Sequence, residues 1–133
     1  MTYKTDYLFG KQKEEEILKI INNKFKDNIR QIINKYEKFD YEGDKYMYEL
    51  KSRNCNYSTY STTLLPMSKT LNNEKRAVFL FNFIDGLYYI KFREKKFKTF
   101  VLQSFCRNKR EDITDYSQLY YYIPIQSLRK IEF

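Results

Sequence analysis

Phe39-Asp40-Tyr41-Glu42-Gly43-Asp44-Lys45-Tyr46-Met47-Tyr48-Glu49-Leu50-Lys51-Ser52-Arg53 sets an acid, a turn signal and a Glu-x-Lys triplet in one short stretch. Gly43-Asp44 is turn chemistry, and Lys45 to Ser52 alternates with strong strand formers. Residues 36–52 are therefore expected to form a β-hairpin with Gly43-Asp44 at its tip. In that register Glu42 faces Lys45, Asp40 faces Met47 and Lys38 faces Glu49. Strand alternation puts Met47, Glu49 and Lys51 on one face and Tyr46, Tyr48 and Leu50 on the other. Asp40 then shares the face of Glu49 as its diagonal neighbour, at roughly 7–8 Å between backbones.

Two carboxylates at that reach can hold one metal ion between them. Without a cation their repulsion opposes folding. A bound ion would polarise a phosphate, acidify a water and neutralise charge on a departing oxygen. Ligation by carboxylates alone suits Mg²⁺ or Mn²⁺ rather than zinc. Lys51, on the same face, can orient the attacking water or stabilise transition-state charge. The alternative from the same residues is an ordinary cross-strand charge cluster on a wet face. Asp85, Glu94 and Lys96 repeat the spacing, but Asp85 lies in a turn of its own and Arg93, Lys95 and Lys96 read as a solvated strand exit.

An acid, a hairpin and Glu-x-Lys in that order resemble the PD-(D/E)xK nuclease superfamily. Asp40 matches its first acid, Glu49 the second and Lys51 the lysine. Glu49-Leu50-Lys51-Ser52-Arg53 is similar to the second motif strand of its Holliday-junction resolvases, and the layout also looks like small nuclease-like proteins of large DNA viruses. The likeness spans roughly residues 12–92. Phe39 stands where the family's motif has proline. The resemblance implies an α/β, restriction-endonuclease-like fold, with a central mixed β-sheet flanked by helices. It implies an Mg²⁺- or Mn²⁺-dependent endonuclease acting on DNA, possible homodimers included, because two strands need two cuts. It also implies an acid on the first helix that points at the metal, and Glu14 is the candidate. Glu14, Asp40 and Glu49 are thus the expected metal ligands, and Lys51 joins them in catalysis.

The rest of the chain supplies the setting. A helix is expected from Lys11 to Phe25, with Ile17, Leu18, Ile21 and Phe25 on one stripe and Glu14 extending it upstream. Residues 1–10 read as a loosely ordered lead-in, and Asp27-Asn28 can end the helix. Residues 53–73 are polar and read as loop plus one short helix. Ala77 to Phe83 and Leu87 to Phe92 read as a hairpin about Asp85-Gly86. Phe97–Phe105 is expected as a strand, 107–118 as a charged loop, Tyr120–Ile125 as a strand and Gln126–Ile131 as a terminal helix. The order implies one domain, residues 1–133, with a central mixed sheet.

The chain has 133 residues, a formal charge of +8 and no histidine. The charge favours polyanionic partners. The lack of histidine excludes Ser–His and Cys–His nucleophile pairs and histidine-ligated zinc. Cys55 and Cys106 are isolated and read as structural, reduced thiols. No apolar run is long enough to cross a membrane, and no apolar signal core opens the chain. An intracellular setting is expected, in host nucleus or cytoplasm, or a virion. Arg53, Lys69 and Tyr60 are candidates for nucleic-acid contact, the cations to phosphates and Tyr60 by stacking. Lys75, Arg76 and Tyr57 could join them, and Gln103 is a further polar candidate on a strand. A second reading from a different class is a non-catalytic nucleic-acid-binding or structural subunit, in a viral or transcription assembly, that keeps the fold.

Overall fold

The helix expected from Lys11 begins at Tyr3: α1 runs Tyr3–Phe25 in the computed structural model, which describes residues 3–34, 36–105 and 118–133. Residues 3–10, expected as a lead-in, are therefore helical. After α1 come β1 (Arg30–Gln31), β2 (Tyr41–Glu42), β3 (Tyr46–Ser52), β4 (Thr62–Pro66), β5 (Arg76–Phe83) and β6 (Gly86–Lys91). A single turn, α2 (Glu94–Phe97), leads to β7 (Val101–Phe105), β8 (Gln118–Pro124) and β9 (Arg129–Lys130). Six strands form a mixed sheet in the order β1-β2-β3-β5-β6-β9, and three form a second sheet in the order β4-β8-β7. The β3–β5 pair is parallel and the other pairs are antiparallel.

The run Ala77-Val78-Phe79-Leu80-Phe81 in β5 is buried throughout. A strand covered on both faces is apolar at every position, not at alternate ones. Val78 and Leu80 meet Tyr48, Tyr41, Leu87 and the α1 residues Ile17 and Ile21. Ala77, Phe79, Phe81 and Phe83 face the other way, onto Leu65 of β4, Ile123 of β8, Phe97 and Leu128. The mixed α/β architecture agrees with the sequence reading, but the flanking helices need correction. One substantial helix covers one face of the sheet, and the three-stranded sheet covers the other.

That second sheet explains the misread segments. β4 lies in the stretch expected as loop, because its ladder partner β8 is far along the chain: Thr63 pairs with Ile123 and Leu65 with Tyr121. Phe97 closes α2 rather than opening a strand, since its buried ring meets Phe79, Phe92, Phe100 and Tyr121. The expected terminal helix is instead a 3-10 turn, Ile125–Ser127, followed by β9. The N–H of Ile131 donates to the carbonyl of Leu87, so this segment satisfies its backbone on the edge of the large sheet. The charged loop expected at 107–118 lies almost wholly outside the described residues, as does Cys106. Among the described residues no helix is long and apolar enough to cross a membrane.

Candidate active site

Asp27 organises the hairpin that carries the acids. It is only 3% exposed. Its carboxylate accepts the N–H groups of Lys45 and Tyr46 and the hydroxyl of Tyr48, and its carbonyl accepts the N–H of Asp44. The tip therefore wraps around Asp27, and the N–H of Gly43 closes it by donating to the carbonyl of Tyr46. Tyr41 pairs with Tyr48 and Glu42 with Met47. Glu42 was expected opposite Lys45, so the register is displaced by two residues. An even displacement leaves side chains on their expected faces. Gly43 has no positive φ; it is needed for space, because Asp27 lies against it.

Asp40 and Glu49 meet where β2 gives out. The N–H of Asp40 donates to the carbonyl of Tyr48, and the Asp40 carboxylate accepts the N–H of Leu50 at 2.8 Å. One carboxylate oxygen thus takes over the ladder bond that a longer β2 would have made. Glu49 is 6% exposed. Its carboxylate lies 3.3 Å from Lys51 Nζ and 3.5 Å from Lys69 Nζ. Burial pushes its pKa up, the charge of Asp40 adds to this, and Lys69 and Lys51 oppose it. The two acids and Lys51 thus stand together, as the spacing implied.

Lys69 is the member whose place was misjudged. It was expected on phosphates, but it neutralises Glu49 and donates to the carbonyl of Lys38. Lys38, expected opposite Glu49, turns instead to Leu71 O at 2.7 Å and Asn73 Oδ1 at 3.0 Å. Burial and the neighbouring Lys69 charge lower its pKa.

Glu14 does not join the other acids. Its carboxylate accepts from Gln31 Nε2 at 2.7 Å, and its carbonyl accepts the Tyr41 hydroxyl. Tyr41 belongs to the core on the α1 side of the sheet, whereas Met47, which shares the face of Glu49, packs on the opposite core. Among the described residues no three acids or cysteines are close enough together to hold a metal ion. Of the three expected ligands, Asp40 and Glu49 alone therefore stand together.

A groove of about 690 Å³ is lined by Lys51, Arg53, Cys55, Tyr57, Tyr60 and, from β8, Tyr120 and Tyr122. Arg53, expected on phosphates, spends its guanidinium inside the protein. It donates to Thr63 Oγ1 and Leu64 O and lies over the Phe81 ring, which pins the end of β3 to β4. Tyr57 stacks on Tyr88 with centroids 4.1 Å apart and donates its hydroxyl to Ile125 O. Tyr60 is 67% exposed on the groove, so it retains a face for a planar ligand. Lys75 holds Glu42 at 2.9 Å, and Gln103 sits exposed on β7 opposite Tyr120.

Asp27 and the pairing of Lys69 with Glu49 were missed. An aspartate beyond a helix looks like any helix end, and no local signal marks it as a buried acceptor. Compared with known proteins, the chain matches no protein-family model, no curated protein and no solved structure.

Proposed function

We propose that the chain is a metal-dependent DNA endonuclease of the PD-(D/E)xK, restriction-endonuclease-like kind, hydrolysing phosphodiester bonds at Asp40, Glu49 and Lys51. The observation that carries this reading is the contact of Lys51 with Glu49, 3.3 Å, beside an Asp40 close enough to raise the Glu49 pKa, with Lys51 itself lining a groove. Two neighbouring carboxylates form a hard, all-oxygen donor set that fits Mg²⁺ or Mn²⁺. Such an ion, when bound, would supply Lewis acidity to the phosphate and lower the pKa of a water. The backbone bond from Leu50 fixes one oxygen of Asp40 and so orients the other. Lys51 is placed to hold the attacking water or to stabilise charge on the phosphate oxygens. In the reaction a water oxygen bonds to phosphorus, one P–O ester bond breaks, and the leaving oxygen takes up a proton.

The groove supports a strand lying next to the scissile phosphate, with Tyr60 as a stacking face. The test is incubation with plasmid and branched-junction DNA in Mn²⁺ or Mg²⁺, beside Lys51→Ala. Cutting by the parent protein and not by Lys51→Ala supports the reading. Cutting that survives the substitution, or none by either protein, removes it. A second reading, a non-catalytic nucleic-acid-binding subunit, has one observation in its favour: Lys51 and Lys69 already bring two positive charges to Glu49. Metal-independent DNA binding without cleavage is the result that would favour it.

A further inference from the structure

At the other end of β5, where β6 ends, lies a cleft of about 120 Å³ that no step above uses. Its charged lining is Lys91, Arg93, Lys96 and Arg129, with no acid among them. The four cations come from the end of β6, from α2 with its lead-in, and from β9. None of the four forms an ion pair among the described residues. Arg93 and Lys96 also line a neighbouring cleft of about 760 Å³, where Lys75, Arg76 and Lys95 outnumber the acids Glu74 and Glu94. Glu94 pairs with Lys98, at 3.4 Å. The four cations of the small cleft, with no acid in its lining, repel one another, so the fold holds a positive potential there that an anion would relieve.

We infer that this surface, centred on Arg93, Lys96 and Arg129, binds the phosphate backbone of a nucleic-acid duplex as a second contact, separate from the Asp40–Glu49 cluster. A backbone ligand fits better than unpaired bases, because the only ring on the small cleft, Tyr89, is packed edge-on against Phe25. A membrane fits poorly, since the apolar members of the lining are buried or half-buried and leave nothing to insert among lipids. Lys51 stands opposite Phe81 of β5 and Lys91 opposite Val78; those positions are an odd number apart, so the two lysines project from opposite faces of the sheet and this surface is separate from the groove at Lys51. The inference needs no catalysis, so its test is made without metal.

The test measures binding of a fluorescein-labelled 20-base-pair duplex by anisotropy, in EDTA, from low to moderate salt. The variants are Arg93→Glu/Lys96→Glu and a control, Lys19→Glu/Lys45→Glu, which makes the same change in net charge at two exposed residues that line neither cleft. The first should weaken binding tenfold or more and flatten the dependence of log affinity on log salt by about 1.8, the contribution of two phosphate contacts. The control should stay within about twofold of the parent. Arg129→Gln, a milder change on β9, should weaken binding by a smaller factor and so covers failure of the double variant to fold. Equal losses in the two double variants, or unchanged affinity and salt slope in Arg93→Glu/Lys96→Glu, would overturn the inference. So would binding to phosphatidylserine vesicles with none to the duplex. Loss of cleavage in Lys51→Ala with duplex binding intact leaves it standing.

Discussion

Gly43 stands so close to Asp27 that a β-carbon on it would overlap the Asp27 carboxylate and lie 2.9 Å from the Asp27 main-chain oxygen. The carboxylate cannot swing aside freely, because it holds two backbone N–H groups and the Tyr48 hydroxyl. Gly43→Ala should therefore destabilise the protein by about 1–3 kcal/mol, as overpacking at a tight site does. Urea denaturation measures this. A loss below about 0.5 kcal/mol would mean the tip is not clamped to Asp27.

Asp40 has two separable duties, and two substitutions divide them. Asp40→Ala removes the acceptor of the Leu50 N–H and should cost about 1–3 kcal/mol, the penalty for an orphaned backbone donor. Asp40→Asn keeps an oxygen acceptor and removes the charge. It should retain more stability than Asp40→Ala, yet lose DNA cleavage as fully. Equal stability of the two variants would show that the Leu50 bond contributes nothing.

The raised pKa of Glu49 sets a pH dependence of stability. A folded-state pKa above the unfolded value means that the folded protein holds the proton more tightly. The associated stabilisation is complete below the unfolded carboxylate value, about 4.3, and is lost as pH rises through the raised folded value. Glu49→Gln cannot ionise and should lack this decline. Asp40→Asn should shrink it, because the Asp40 charge is one of its causes. Thermal melts of the three proteins between about pH 4.5 and 7 provide the comparison. Parallel profiles would place the titration elsewhere.

Metal binding should follow the same proton. A cation at Asp40 and Glu49 competes with protonation of Glu49, so the increase in Tm on adding Mn²⁺ should grow as pH rises. It should vanish in Glu49→Gln. Glu14→Gln keeps an acceptor for Gln31 and should leave the Mn²⁺ shift in place, with cleavage lowered less than tenfold. If Glu14→Gln abolishes the shift, the first helix does supply a ligand, as the family resemblance implied.

Lys51 and Lys69 both touch Glu49 but differ in position. Lys51 lines the groove, whereas Lys69 is tied to the carbonyl of Lys38. Lys51→Ala should lower cleavage by about 10²-fold or more, the scale of losing a charge-stabilising group. Lys69→Ala should act chiefly on Glu49, by raising its pKa further and moving the pH profile of cleavage upward. Identical profiles for the two variants would deny Lys51 a distinct role.

The alternation from Tyr46 to Ser52, the buried run of β5 and the tight β5–β6 turn could all be read along the chain, because each depends on neighbours in sequence. Faces of a strand have a period of two, so Glu49 and Lys51 were bound to project together, opposite Tyr48 and Leu50. In the same way the spacing of Ile17 and Ile21 marked the buried side of α1. These are consequences of backbone geometry alone.

Register, coverage and charge pairing depended on residues far away. The hairpin that wraps Asp27 took a register two residues from the expected one, β8 drew the polar segment before Met67 into a second sheet, and Lys69 occupied the place beside Glu49 that Lys38 was expected to take. Glu14 kept its helical phase but turned to Gln31, on the far side of the sheet from the face that Glu49 shares with Met47. Which side chains a strand or helix presents together was readable along the chain, since that follows from local dihedral periodicity. Which of those faces met, and which carboxylates were buried, came from the assembled fold, because a buried polar group goes wherever that fold supplies its partner.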